Sequence, residues 1–395
     1  MGTILLVGGL GLAVYPIVLY PLMLWFGTMI RRRRGASVAQ PSESGLGDWP
    51  LVSITVPAYN EVHQIESLLE SLVALEYPAD RRQILIVSDG STDGTDEVVR
   101  QWEDRGVELL TVEGRGGKGA AENAARQHLT GELIVNTDAS IRIRPDALRH
   151  LIRPFEDPSV GVVSGRDVSV AHHGADANPG EGGYVGYEMK VRDLETRMGG
   201  IVGASGCLYA TRRELHEHDV PAHLSRDFAS ALVARDHGYR AVSAPRAVCF
   251  VPRTGSLQRE YRRKVRTVAR GMSTIWAWKH LMNPVRYPGF AWKLLSHKIS
   301  RWLLPVALLL VGLGLALLTP SSTLAMWALV ACAVAVFLGL IGWRLGRNER
   351  RLPMLLSVPA FFMMSNVAVI HALVRACGQG SEALWEPTRR SSSPA

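Results

Sequence analysis

The sequence predicts an α/β protein whose doubly wound sheet is carried by helical membrane segments. Three observations lead there. Between residues 51 and 255, short apolar strand-like runs alternate with amphipathic helices; successive runs end in polar clusters; and long uncharged stretches flanked by arginines lie towards both ends of the chain.

The membrane segments come first. Leu5 to Phe26 is long and apolar enough to cross a bilayer, and Arg31 to Arg34 follow at once. A cleavable signal would carry its charges before the apolar run, so residues 1–30 read as a retained anchor. Three more apolar runs, Trp302 to Leu318, Leu324 to Trp343 and Leu352 to Val374, fall in a closing segment at 302–375, ahead of a tail at 376–395. The chain of 395 residues is 47% hydrophobic, with 44 Lys and Arg against 36 Asp and Glu. The excess of positive charge flanks the apolar runs, and the Thr319-Pro320-Ser321-Ser322 turn has none. The positive-inside rule therefore puts residues 31–301 in the cytoplasm and the protein in the cell membrane as a multi-pass chain. With the basic charge so used, no basic face with interleaved aromatics is left for nucleic acid. Cys207, Cys249, Cys332 and Cys377 lack metal-binding spacing and read as free thiols.

Within the chain, residues 31–50 form a basic flank and a Ser/Gly/Pro-rich linker. Leu51 to Val56 reads as a strand that Pro57 stops, since proline has no N–H for a ladder. Asn60-Glu61 then precede a helix with Ile65, Leu68, Leu69, Leu72 and Val73 on one face. Gln83 to Val87 is a buried-type strand closed by Ser88-Asp89-Gly90-Ser91-Thr92-Asp93-Gly94-Thr95. A helix through Val98, Val99 and Trp102 leads to a strand from Val107 to Val112, a glycine-rich loop from Gly114 to Gly119, and a helix from Ala120 to His128. Leu133 to Val135 suits a strand buried on both faces; it ends in Asn136-Thr137-Asp138-Ala139-Ser140, and Pro145 restarts the chain as a helix.

Asp138 thus sits at the carboxyl end of a central strand. Open α/β sheets bind ligands at that edge, and a carboxylate there can hold a hard cation against a diphosphate. Turn chemistry explains Asp and Ser at one such turn. It does not require an acid or amide at every strand end, as at Asn60/Glu61, Asp89/Asp93 and Asp138. The loop Gly114-Arg115-Gly116-Gly117-Lys118-Gly119 is not a P-loop, because Gly119 stands where Ser or Thr is needed. No Gly-x-Gly-x-x-Gly opens the first helix, so a dinucleotide fingerprint is absent too.

These motifs, in this order from Val52 to Gly271, resemble the membrane-anchored family 2 glycosyltransferases, in the branch of the cellulose and hyaluronan synthases. The resemblance implies a GT-A type nucleotide-sugar-binding domain, an inverting reaction and a UDP-sugar donor. Pro57, Ala58, Tyr59 and Glu61 would contact the nucleoside, Asp89 the uracil base, and Lys118 with Asn123 would lie beside the nucleotide. Asp138, with Ser140 in place of the second acid of an Asp-x-Asp, would bind donor diphosphate through Mg2+ or Mn2+; a hydroxyl or water can complete such a shell. Gly203, Ser205 and Gly206 fall on the segment near donor sugar and acceptor, although a tight turn explains the glycines equally. Asp227 falls on the general base, behind Arg226 where an acid is usual; a helix-start carboxylate is the plainer account.

Arg263 and Arg266 fall on a Gln-x-x-Arg-Trp motif near acceptor and diphosphate. Arg263 stands for the glutamine and Thr267 for the tryptophan associated with polymerising members; Trp276 and Trp278 are nearby substitutes. A basic helix on anionic lipid explains the same run, and residues 256–301 read as basic and interfacial, Tyr287 to Ser300 included. Leu352 to Val374, interrupted by Pro359 and Asn366, is either a full span or partly re-entrant. Trp385 to Arg390 resembles a tail that family members keep in the cytosol. The implied activity is transfer to a lipid-linked or saccharide acceptor in polysaccharide or glycolipid synthesis, with membrane lipids as partners and no protein partner named. Two alternatives stay open: a processive synthase with a translocation path, for which Ser365, Asn366 and His371 are the polar candidates, and a silent nucleotide-sugar-binding subunit.

Overall fold

The computed structural model describes residues 1–33, 49–170, 179–252, 256–346 and 352–378. Gly35 to Gly47 of the linker and Trp385 to Arg390 of the tail lie outside the described residues. Eight strands, β1 (Val52–Ala58), β2 (Arg82–Ser88), β3 (Val107–Thr111), β4 (Leu133–Thr137), β5 (Arg142–Ile143), β6 (Val160–Val170), β7 (Leu208–Arg212) and β8 (Arg240–Pro252), make one sheet in the order β3-β2-β1-β4-β7-β6-β8-β5. β3, β2, β1 and β4 are parallel, whereas β7 runs antiparallel to both β4 and β6. The reversal matters for function. Thr137 pairs with Leu208, so the segment entering β7 arrives at the edge where β1, β2 and β4 end.

The helices, in order, are α1 (Gly2–Arg33), α2 (Ile65–Val73), α3 (Thr95–Arg100), α4 (Lys118–Ala125), α5 (Ala147–Ile152), α6 (Pro179–Arg197), α7 (Arg213–His216), α8 (Arg226–Asp236), α9 (Leu257–Ala277), α10 (Pro288–Trp302), α11 (Leu304–Leu318), α12 (Thr323–Leu345) and α13 (Met354–Gly378). β1, β2 and β4 are buried along their length because helices cover both faces: Leu68, Leu69 and Leu72 of α2 pack over Ile54, Val56 and Ile84, and Ala121 and Ala125 of α4 over Leu85, Val87 and Ile134.

Several boundaries differ from the sequence expectation. β1 continues through Pro57 to Ala58, because its pairing with β4 ends at Thr55 and only β2 is paired beyond it, so the missing N–H costs the ladder little. The helix expected from Ala120 begins at Lys118, since Gly117 takes φ 86° and turns the chain there. The helix expected at Pro145 begins at Ala147, after the two-residue β5 pairs with β8.

Three helices, α1, α12 and α13, are long and apolar enough to cross a membrane; α10 and α11 form a pair bent by 58° that passes the same test together. α1 contains a π-helical turn at Tyr15–Leu19 around Pro16. α13 is one helix with Pro359 inside, so the described residues give no re-entrant break; Gly339 and Gly342 let α12 pack close to the backbone of Leu356 and Pro359.

α10 is not simply interfacial. It buries Lys293, Ser296 and His297 against the domain. His297 lies between two carboxylates of α6, with Nδ1 2.7 Å from Glu195 Oε1 and Nε2 2.9 Å from Glu188 Oε1. Tyr20 of α1 donates to Glu195, and Arg301 donates to Glu188 Oε2 at 2.6 Å. Burial alone would raise the Glu188 carboxyl, but His297, Arg301 and Lys298 outweigh it and hold it well below the usual range. A brace of buried charge therefore ties α1 and α10 to α6 of the sheet domain.

Candidate active site

β1 and β2 end side by side, and the turns that follow lock together. Asn60 takes a left-handed backbone, φ 52°, which asparagine tolerates. Its Oδ1 accepts from Thr92 N at 2.8 Å, and Glu61 N donates to Thr95 Oγ1 at 2.9 Å. Pro57, Ala58 and Glu61 are buried. Asp89 is buried as well; its Oδ1 accepts from Gly116 N at 2.9 Å and its Oδ2 from Gly117 N at 2.8 Å. The carboxylate thus pins the glycine-rich loop to β2 and keeps only its remaining lone pairs for a ligand. On that loop the Arg115 guanidinium stacks 4.2 Å from the centre of the Tyr59 ring, which joins the glycine-rich loop to the turn after β1.

Lys118 opens α4 and reaches across to β4. Its Nζ lies 2.5 Å from Asp138 Oδ1 and 4.0 Å from Glu122 Oε1. Burial pulls the Lys118 pKa down, but Asp138, Glu122 and Asp227 outweigh it and raise it above the usual lysine range. Glu122 is buried, with Oε2 3.5 Å from Arg226 Nε, and burial pushes its carboxyl up. Arg226, at the place of an expected acid, therefore points its charge inward, donating also to Asn123 Oδ1 and to the His216 carbonyl. His216 is pushed down to about 3 by burial and by Arg226, so it is neutral at physiological pH. The sequence reading missed Glu122, although its i,i+4 spacing from Lys118 was a usable signal.

Asp138 Oδ2 accepts no hydrogen bond among the described residues, and the side chain is 26% exposed. Ser140 lies two residues on and is partly buried. Among the described residues no group of three or more His, Cys, Asp or Glu forms a cation cage. One open carboxylate oxygen with a hydroxyl nearby nevertheless fits a magnesium-type ion, which takes one or two carboxylates and completes its shell with phosphate and water.

Asp227 stands in the first turn of α8, and Ser225 Oγ donates to its Oδ1 at 2.6 Å. A Cβ at Gly206 would lie 2.8 Å from Asp227 Oδ2, so a larger residue there would displace that carboxylate. At Gly203 a Cβ would lie 2.8 Å from the Phe228 ring. The two glycines seat the loop against α8. Ser205 is buried and donates to Asp167 Oδ2 at 2.5 Å, a carboxyl on β6 that burial pushes up and that no sequence motif marked. Thr137 Oγ1, beside Asp138, donates to the Cys207 carbonyl at 2.8 Å and joins this loop to β4.

On α9, Arg263 forms a two-pronged ion pair with the buried Glu260, at 2.7 and 2.8 Å. Arg266 is partly buried one turn along, and Thr267 is exposed. The contact with the base region is made further on, by residues that the sequence did not single out. Arg270 donates to the carbonyls of Ala222 and Leu224, and Thr274 Oγ1 accepts from Ser225 N at 3.0 Å. Trp276 is 70% exposed, while Trp278 packs beside Phe228 and Leu232.

Residues 53–219 match the model of glycosyl transferase family 2. The beta-monoglucosyldiacylglycerol synthase of Nostoc sp. is 34% identical over 124 residues, 30% of this chain and 26% of that protein. The poly-beta-1,6-N-acetyl-D-glucosamine synthase of Staphylococcus epidermidis is 30% identical over 116 residues, 29% of this chain and 28% of that protein. The matched stretch thus spans about a quarter of the length of these curated relatives. In three dimensions the chain is similar to mannosyltransferase PcManGT from Pyrobaculum calidifontis, solved with GDP-Man and Mn2+, with a TM-score of 0.69 at 23% identity over 95% of this chain and 99% of that one. That likeness extends the shared fold beyond the sheet domain to the apolar helices. Residues 53–219, which carry most of β1 and all of β2 to β7, thus match glycosyl transferase family 2, and the mixed sheet they belong to is a GT-A type fold.

Proposed function

We propose that the protein is a membrane-bound inverting glycosyltransferase that moves a sugar from a UDP-sugar donor to a hydroxyl on a membrane-associated acceptor, at the cytoplasmic face. One observation carries this reading: Asp227, Asp138 and Lys118 share one electrostatic field at the sheet edge, next to helices apolar enough to enter a bilayer. The acceptor oxygen attacks the anomeric carbon and its proton passes to Asp227. The bond from that carbon to the diphosphate breaks with its electron pair on the leaving oxygen, and one displacement gives one inversion. Base assistance of this kind is worth about 10²–10⁴-fold. Asp138 and Ser140 would hold Mg2+ or Mn2+, which when bound supplies Lewis-acid stabilisation of the departing diphosphate. Lys118 adds an ammonium beside the same group, and Arg266 on α9 would add positive field further off, whereas the charge of Arg263 is met by Glu260. Tyr59, Pro57, Ala58, Glu61 and Asp89 would bind the nucleoside. The names of the relatives, a glycolipid synthase and a polysaccharide synthase, support a glycolipid or polysaccharide product.

The test uses the purified full chain in lipid with Mn2+ or Mg2+, a panel of UDP-sugars, and GDP-mannose because the structural neighbour was solved with it. Nucleoside diphosphate release and product size are followed together. A single short lipid-linked product is expected. A long ladder would mark a processive synthase, turnover of GDP-mannose alone would replace the uridine reading, and donor binding without turnover would mark a silent subunit.

A further inference from the structure

α10 carries Lys298 past Phe228, the neighbour in sequence of the candidate base, and Arg301 past Glu188 and Tyr187. Lys298 runs beside Gly203, where a Cβ would lie 3.6 Å from its Cε, and its Nζ stands 5.4 Å from the ring centre of Phe228, the residue after Asp227. Arg301 comes one turn later, three residues before Leu304, where the apolar α11 starts. Around Glu188 the charges do not balance. Arg301, His297, Arg192 and Lys298 come within 2.6, 2.9, 3.5 and 3.8 Å of its carboxylate, and Glu195 is the second acid of the group. Counting the neighbours that reach them, Asp167 beside Arg192 and Lys293 beside Glu195, three carboxylates face Arg192, Lys293, Lys298 and Arg301, with His297 besides. Arg301 Nη2 is buried without a well-aligned acceptor among the described residues, and the hydroxyls of Tyr184 and Tyr187 are the neutral groups that interact with the same guanidinium. The cluster is not sealed: the Lys298 side chain is 23% exposed and that of Arg301 16%.

We propose that Lys298 and Arg301 form a phosphate site for the acceptor, and that the acceptor is a glycerophospholipid with a free hydroxyl in its headgroup. This rests on the reading of Asp227 as the base. A lipid rising from the bilayer along α11 meets Arg301 first, then Lys298, and then Phe228 beside Asp227. Its phosphodiester supplies the negative charge that the cluster lacks and takes charge-assisted hydrogen bonds from both side chains. Its headgroup hydroxyl gives its proton to Asp227 as the oxygen bonds to the anomeric carbon and the diphosphate departs. A neutral diacylglycerol leaves the excess charge unmatched. A polyprenyl phosphate offers no hydroxyl for Asp227 to deprotonate.

Binding decides the matter. Dihexanoyl phosphatidylglycerol, dihexanoylglycerol and a short polyprenyl phosphate, each below its micelle concentration, are titrated into the full-length protein in nanodiscs and bound lipid is counted by native mass spectrometry. Phosphatidylglycerol should bind about tenfold or more tightly than dihexanoylglycerol, as expected of charge-assisted contacts. Lys298→Met should remove most of that preference and Lys298→Arg should keep it, with UDP-sugar affinity in the same samples reporting that each variant is folded. Equal binding of the neutral lipid overturns the proposal, as does a preference that survives in Lys298→Met or one that favours polyprenyl phosphate. A Lys298-dependent preference without transfer from any donor supports the phosphate site and removes the transferase reading instead.

Discussion

The brace is a buried cluster of charge and the strand-end cluster a partly exposed one, and their carboxylates are used differently. In the brace, Glu188 spends both oxygens on cations of the protein, Arg301 on Oε2 and His297, Arg192 and Lys298 on Oε1. At the strand ends, Asp138 gives Oδ1 to Lys118 and keeps Oδ2 open, and Asp227 gives Oδ1 to Ser225 and turns Oδ2 towards Gly206. Saturated carboxylates hold parts together, whereas half-used ones are ready for a ligand. Charge count alone would not separate the two, since both clusters mix acids with bases; exposure does, because the Asp138 side chain is 26% exposed and that of Glu188 10%.

Substitutions at the two places should therefore fail in different ways. Asp227→Asn should lower sugar transfer by about 10²–10⁴-fold while UDP-sugar affinity and thermal midpoint stay at wild-type values; unchanged turnover would remove Asp227 as the base. Glu188→Gln, which strands several buried cations, should cost about 3–5 kcal/mol of stability, read by denaturant unfolding of the sheet domain in nanodiscs. A loss below 1 kcal/mol would mean that the brace is solvated and the contrast false. Gly206→Ala sharpens the comparison from the other side, because the new Cβ meets the Asp227 carboxylate: transfer should fall more than stability, which should drop by about 1–3 kcal/mol. Equal losses would make this loop structural only.

The smallest effect is in pH. Glu188 is held below its unfolded value, so its stabilisation is complete above that value, near 4.3, and fades as pH falls towards the folded one. Wild-type thermal midpoints should therefore decline from about pH 5 to pH 3, and the Glu188→Gln profile should be flatter there. Parallel profiles would assign the acid sensitivity to other carboxylates.

The strand ends were legible because their signals are local. Leu133 to Val135 must be buried on both faces, an acid after such a run falls on the ligand edge, and Lys118 and Asp138 came from motifs a few residues long. The roles of Gly206 and Arg226 were not legible. Asp227, 21 positions away, fills the space that a side chain at Gly206 would take, and Arg226 replaces an acid because Glu122 waits for it inside. The predicted stop at Pro57 failed for a related reason, since the cost of a missing N–H depends on whether β4 is still paired there.

By itself the sequence determined the alternation of strands and helices, the apolar runs and the acids at strand ends, since all of these follow from periodicity and backbone chemistry within some ten residues. Only the tertiary structure decided which charges pair. Glu188 with His297, Glu122 with Arg226 and Tyr20 with Glu195 are joined across about a hundred residues or more. An ion pair carries no local pattern, because any acid satisfies any base that the fold brings within reach.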